Sequence, residues 1–453
     1  MIKHLPGLHN VQITGYTHEG AGVGRIQGQV VFIPGALEGE EILVEIVREC
    51  QGILRGELKE IYKPHPRRIS PACEVYHLCG GCNYQHVAYP EQLRIKQKLV
   101  QDTLRRIGGL DNITVHPVLG MLKPWGYRNK GHFRAGRVMN RVSLGFYAED
   151  SHRLVPYFCK HLFSPAVTSL LSFLEEILTH NRVKIAESDG LGLRHILIRE
   201  SKCNGEILLC FIVNHDDCVN DWGVITQEIC NKFPQIIGVC RNINKENQGP
   251  ILGKTTKMLY GVDYLRDRIG PFTFTTALSS FFQVNTQQAE CLYDIVFRYA
   301  GLSGRETVVD VYCGAGTISL YLAPKAQRVI GIEVVLAAVQ DARTSARING
   351  INNVEFLQGE AEKRLPELAA NGLRPDVVVV DPPRKGCDKL LLDSIIKVKP
   401  SRMVYVSCNP ATLARDLRVL ADGGYAIAEV QPVDMFPQTH HVECVVLMTR
   451  VEK

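Results

Sequence analysis

The chain has 453 residues, enough for two to four domains, each with its own core. Its composition, 45% hydrophobic and 22% charged, is ordinary for a globular chain, and the net charge of +5 permits a polyanionic partner without demanding one. The first ten residues lack an apolar signal segment and no long apolar run follows, so secretion and a membrane span are excluded as expectations. Fifteen cysteines, an odd number in a long chain without an export signal, point to a reduced, cytoplasmic setting with metal-binding or catalytic thiols.

Residues 11–62 read as short strands around Val11-Gln12-Ile13-Thr14, Val30-Val31-Phe32-Ile33, Ile42 to Ile46 and Gly56 to Ile61. Gly20-Ala21-Gly22-Val23-Gly24 reads as a turn between two of them. Strands at this spacing suggest a small barrel over residues 1–63, either a structural β-cap or an OB-like nucleic-acid module. Pro64-His65-Pro66 opens a linker. Residues 64–270 read as a central α+β domain. It begins with Cys73, Cys79 and Cys82, spaced Cys-x5-Cys-x2-Cys around two glycines, and Cys159 offers a fourth thiol. Four thiolates suit a structural zinc or an iron–sulfur cluster, and spacing alone slightly favours zinc. An amphipathic helix follows from Pro90 to Ile107. Its Lys96, Lys98, Arg105 and Arg106 form a solvated face or one turned toward RNA. Glu206 to Val213 is the clearest strand of this region.

From residue 271 to 453 the chain alternates strands and helices, as a Rossmann-like α/β domain does. Three apolar runs end in loops that carry chemistry. The first ends in Asp310-Val311-Tyr312-Cys313-Gly314-Ala315-Gly316, the second in Asp381-Pro382-Pro383-Arg384, and the third in Ser407-Cys408-Asn409-Pro410. Ligands of open α/β sheets bind at the carboxyl ends of strands. The glycine loop is not the dinucleotide Gly-x-Gly-x-x-Gly. With Glu333 ending the next strand, where it can accept ribose hydroxyls, the loop favours S-adenosylmethionine. Cys408, beside a helix N-terminus, reads as a nucleophile whose pKa the helix dipole lowers. His440, His441 and Glu443 are all candidate bases for it.

Taken together, Phe282-Gln283-Val284-Asn285, the glycine loop, Asp381 to Arg384, Ser407 to Pro410 and His441-Val442-Glu443 resemble the RNA uracil-C5 methyltransferases. That family makes 5-methyluridine in ribosomal or transfer RNA. The resemblance implies an RNA-binding TRAM barrel at the N-terminus. It also implies a [4Fe-4S] cluster on Cys73, Cys79, Cys82 and Cys159, the pattern of the ribosomal-RNA branch, and so a 23S target. It assigns Gln283, Tyr312, Glu333 and Asp381 to the cofactor, Thr317 and Glu360 to further cofactor contacts, Cys408 to the nucleophile and Glu443 to the base. Three rival readings are a cytosine-C5 methyltransferase, an exocyclic-amine methyltransferase and a non-catalytic iron–sulfur RNA-binding protein. The first usually carries a cysteine in its acid-Pro motif, where this chain has Arg384 after Pro383. The other two would leave Cys408 and Glu443 without a task.

Overall fold

The apolar alternation of the first sixty residues becomes a six-stranded sheet in the computed structural model. Leu8–Gln12 pairs with Glu41–Cys50, which pairs with Ile53–Lys63; Gln29–Ile33, Gly22–Ile26 and Gly15–Tyr16 follow in that order. Val11, Ile13, Ile26, Val31, Ile33, Ile42, Val44 and Leu54 form its core. The expected turn at residues 20–24 is mostly strand. Only Gly20 turns, with φ +80°. Gly24 lies in the strand because a Cβ there would stand 2.2 Å from Val11 Cγ1. Glycine serves close strand approach at this position rather than a bend.

The structure describes residues 7–451 except 150, 188–189, 216–217, 220, 247–248 and 279. They fall into two compact units. The first comprises Met1–Ala72, Cys82–Met121 and Asp381–Lys453; the second comprises Cys73–Gly81 and Leu122–Val380. Among the described residues, no helix is long and apolar enough to cross a membrane.

Besides the N-terminal sheet, the first unit holds the helix Tyr89–Gly108. Pro90 lies in its first turn, and Gly109, left-handed at φ 59°, ends it. Ile95 and Leu99 pack with Tyr16, Leu37, Tyr84 and Val87. The basic residues of this helix do not share one solvated face. Lys96 is fully buried, and its Nζ donates to Asp434 Oδ1 at 2.5 Å and to the Phe436 carbonyl at 3.1 Å. Tyr89 donates its phenol proton to the other Asp434 oxygen. Lys98 pairs with Glu38 at 2.5 Å, so of these four only Arg105 and Arg106, in the last turn, are exposed. Charge count along a helix does not reveal that one lysine has an acid waiting more than three hundred residues away.

Arg402–Ser407, Glu443–Arg450 and Tyr425–Val433 complete the first unit as antiparallel neighbours, with the helices Lys389–Val398 and Pro410–Asp422 beside them in sequence.

In the second unit, four parallel strands run in the order Val354–Gln358, Arg328–Glu333, Thr307–Val311, Val377–Val380. Chain order reverses at Thr307–Val311, so its carboxyl end is a switch point of the kind that receives ligands. The second unit also holds a sheet centred on Leu193–Glu200 and Ile207–Val213, the latter buried along its whole length.

Removing the Lys96 ammonium would leave Asp434 as a buried, uncompensated charge. Lys96→Ala is therefore expected to destabilise the protein by about 3–5 kcal/mol in urea titration. A loss within about 0.5 kcal/mol, as for a surface substitution, would contradict this account.

Candidate active site and cofactor loop

In the first unit, the strand Arg402–Ser407 stops because Asn409 caps the next helix. Its side chain accepts the Ala411 amide at 3.0 Å, and Pro410 occupies the first helical position. The same side chain donates to the Arg384 carbonyl at 3.1 Å, and Thr412 Oγ1 donates to that carbonyl at 3.2 Å. The Cys408 turn is thereby tied to the Asp381–Arg384 loop. A buried network holds the loop from its far side. Asp416 accepts the Cys387 amide at 2.8 Å and the Tyr405 phenol at 2.6 Å.

The helix start does not lower the Cys408 pKa as expected. Burial, with Glu443 and Asp381 adding negative charge, pushes the thiol up to about 11, against the pull of Arg384. Burial also raises Asp381 to about 6. Glu443 is raised to about 8 by burial and by Asp381, again with Arg384 opposing. Desolvation outweighs one turn of helix dipole here. The three acids and one guanidinium form a single electrostatic group. At neutral pH a substantial part of Glu443 holds its proton, so a base of this kind is poised near working pH.

The rival base His440 is differently placed. Its backbone N–H donates to Asn83 Oδ1 at 2.8 Å, which fixes the amide orientation, and Asn83 Nδ2 then donates to His440 Nδ1 at 2.7 Å. The Nδ1 lone pair is occupied and the proton sits on Nε2. Burial, with Lys96 nearby, lowers the imidazole to about 4. The His441 ring stacks edge-on against Phe436, 5.9 Å between centroids. Gly20 of the N-terminal sheet reaches the same place: a Cβ on it would stand 2.7 Å from His440 Cβ.

In the second unit, the loop after Thr307–Val311 holds three left-handed residues: Tyr312 at φ 64°, Gly314 at 54° and Gly316 at 76°. A Cβ on Gly316 would meet the Phe356 ring at 2.7 Å. Glu333 braces this loop, accepting the Gly314 amide at 3.1 Å and the Val335 amide at 2.8 Å. Tyr312 is not glycine and carries backbone strain, and its phenol is latched to Glu362 at 3.0 Å. Thr317 Oγ1 lies 2.9 Å from the Tyr293 phenol oxygen. Glu360 precedes the helix Ala361–Ala370 and pairs with Lys363 on the surface. The Gln283 carbonyl accepts Asn129 Nδ2 at 2.8 Å. Exposed Val334 and Val335 beside Glu333 add an apolar face suited to an aromatic ring. Sequence reading missed Glu362 and Asn409. An Asn before a Pro at a strand end was a usable capping signal; nothing local marked Glu362.

None of the four expected cluster cysteines forms a disulfide. Burial raises the pKa of Cys79 and Cys159, and the nearby Cys73 adds to both shifts. Among the described residues, no group of three or more His, Cys, Asp or Glu side chains stands close enough to hold a metal ion.

Comparison with known proteins gives this geometry its context. Residues 251–451 match the tRNA (uracil-5-)-methyltransferase family, and residues 9–59 match the TRAM domain. The chain is 44% identical to an uncharacterized RNA methyltransferase of Bacillus cereus, covering 96% of this chain and 95% of the relative. The chain belongs to the RNA uracil-5-methyltransferase family. Another uncharacterized RNA methyltransferase, from Oceanobacillus iheyensis, is 42% identical over 98% of this chain and 96% of its own length. The solved tRNA (uracil-54, C5)-methyltransferase of Pyrococcus abyssi, in complex with S-adenosyl-L-homocysteine, is similar in fold. It matches with a TM-score of 0.78 at 25% identity, over 97% of this chain and all of that one. RNA uracil-5-methyltransferases use S-adenosylmethionine. The glycine loop braced by Glu333, with its apolar neighbours, suits such a cofactor.

Arg384 opposes the raised pKa of both Cys408 and Glu443. Ionised Glu443 increases with pH through about 8, so kcat/KM should climb over that range in the native enzyme. In Arg384→Gln the climb should move to higher pH, measured as the pH profile of methyl incorporation into RNA. An unmoved profile would remove Arg384 from this electrostatic group.

Proposed function

We propose that the protein methylates carbon 5 of a uridine in ribosomal RNA, with 23S RNA as the first candidate. The observation that carries this reading is the shared electrostatic group of Cys408, Glu443, Asp381 and Arg384. Carbon 5 of uracil is a weak nucleophile. The Cys408 thiolate adds to carbon 6, and the displaced electron pair makes an enolate, nucleophilic at carbon 5. Bound S-adenosylmethionine supplies the electrophilic methyl group. Glu443 then takes the proton from carbon 5, and the carbon 6–sulfur bond breaks to return Cys408. Gln283, Tyr312, Glu333 and Asp381 are the proposed cofactor residues. Thr317 and Glu360 are proposed as further contacts, since neither sits in one of the motifs that carry the resemblance.

The target base must be single-stranded or flipped from its helix to reach Cys408. Residues 1–63 serve as the RNA-binding barrel, 64–270 as the cysteine-bearing domain and 271–453 as the methyltransferase domain. The enzyme is proposed to work in the cytoplasm. The donor set suits a [4Fe-4S] cluster: four cysteines outside any disulfide, of which Cys73, Cys79 and Cys159 sense one another electrostatically. Ligation would deprotonate these thiols, so that metal binding would contribute folding energy. The four cysteines favour ribosomal over transfer RNA through the resemblance described above. Mapping 5-methyluridine by mass spectrometry in both RNAs of a deletion strain decides it. Loss from transfer RNA alone would overturn the ribosomal assignment.

Glu443→Gln keeps the shape but cannot take the proton, so turnover should fall by about 10²–10⁴-fold. A methylated Cys408–RNA adduct should persist through denaturing electrophoresis. Cys408→Ala in that background should abolish it. An adduct that accumulates in His440→Gln but not in Glu443→Gln would transfer the role of base to the histidine.

Anaerobically purified protein should hold about four irons. Serine at Cys73, Cys79, Cys82 or Cys159 should bleach the colour and lower the melting temperature. Stoichiometric zinc without iron would replace this assignment.

A further inference from the structure

The second unit contains a cavity of about 410 Å³ lined by Arg128, Lys130, His132, Phe146, Phe281, Phe282 and Val284. Three of these residues carry basic nitrogens: Arg128 lies just before the strand Lys130–Val138, and Lys130 and His132 lie within it. Lys130 and His132 alternate along the strand Lys130–Val138 and so share one face. Directly opposite Lys130 on the next strand stands Arg199. Like charges across a strand pair repel. Burial lowers Lys130 to about 8, with Arg199 adding to the shift, and lowers Arg199 to about 10, with Asp267 and Asp341 opposing. The cations have carbonyl partners only in part: Lys130 Nζ donates to Leu278 O at 3.1 Å and Arg199 Nη2 to Ser280 O at 2.6 Å. Arg128 Nε, His132 Nδ1, Arg199 Nε and Arg199 Nη1 are buried with no hydrogen-bond partner.

Buried polar groups of this kind are ordinarily satisfied. Two unsatisfied nitrogens on the lining itself, Arg128 Nε and His132 Nδ1, beside the Lys130 ammonium and with two more on neighbouring Arg199, mark the place of an anion rich in acceptor oxygens. Phe281, at the rim, is 73% exposed, whereas its neighbour Phe282 is buried. An exposed aromatic ring beside a basic cavity is the equipment of a single-stranded nucleic-acid site, where a base stacks and its phosphate is held. Asn129 stitches this wall to the cofactor segment, donating from its side chain to Gln283 O and from its backbone to Val284 O.

We propose that this cavity seats a phosphodiester of the RNA strand flanking the target uridine, with Phe281 stacking on the adjoining base. The assignment rests on the RNA-methylating function proposed above. It makes Phe281 and Lys130 binding residues for a neighbouring nucleotide, separate from the residues that act on the uracil ring.

The test is fluorescence anisotropy with a labelled single-stranded oligoribonucleotide containing uridine, using the full-length protein. Phe281→Ala should weaken binding roughly five- to hundredfold, the range for loss of one stacked base. Lys130→Gln should lower the slope of log affinity against log salt by about 0.7, one phosphate contact on a single strand. Lys130→Arg should restore the slope, which separates a charge contact from a folding defect. Unchanged affinity and salt slope in both Phe281→Ala and Lys130→Gln would overturn the proposal. So would a Lys130→Gln defect in binding S-adenosyl-L-homocysteine alone, because the anion would then be the cofactor carboxylate. Product analysis of the native enzyme is a separate readout. Absence of 5-methyluridine with these binding losses intact would remove the proposed reaction and leave the RNA seat standing.

Discussion

The first unit depends on a charge pair with no access to water. Lys96 and Asp434 pair directly, the Phe436 carbonyl and the Tyr89 phenol complete the network, and the pair fixes the start of the loop that leads to Glu443. Other ties follow along that loop. Gln92 donates to the side chain of Gln438 and accepts its backbone N–H, and the amides of Asn83 and Tyr84 both donate to the Gln438 carbonyl. A surface pair would contribute little of this constraint. A buried one contributes geometry, because each partner is costly to leave alone. The helix Tyr89–Gly108 is in this sense a brace for the loop ahead of Glu443.

Burial explains the electrostatics of the candidate site as well. The same desolvation that raises Glu443 into a useful range also suppresses the Cys408 thiolate. Arg384 opposes the shift of both groups, and its backbone is held by Asn409 and Thr412 on either side of Pro410. The chemistry of the thiol is thus set in part by a loop that brings it both an acid, Asp381, and a guanidinium, Arg384.

Much of the fold was legible because apolar runs and their terminators are local. The strands before Tyr312, Asp381 and Cys408 lie where their valine-rich runs end. Gly20 to Gly24 misled because glycine has two uses, turning the chain and admitting a neighbour, and only the position of Val11 tells them apart. Lys96 misled for a related reason: its partner is remote in sequence. The depressed thiol pKa failed because the burial that overrides the helix dipole is a tertiary property. Glu362 was out of reach altogether, since its link to Tyr312 joins the strained loop to a separate helix, Ala361–Ala370, fifty residues on.

The first unit is assembled from three separate stretches of chain. Its helix emerges early in synthesis, while Asp434 lies more than three hundred residues downstream of Lys96. At about 5–20 residues per second, the helix waits on the order of 15 to 70 seconds for its counter-charge. During that interval the nascent helix has an ammonium on the side that must later be dry, so it cannot settle into its final seat. The second unit is translated entirely within this delay, apart from Cys73–Gly81. Order of synthesis therefore favours completing the cofactor loop first and leaves the thiol and its base to be closed by the last chain segment to appear.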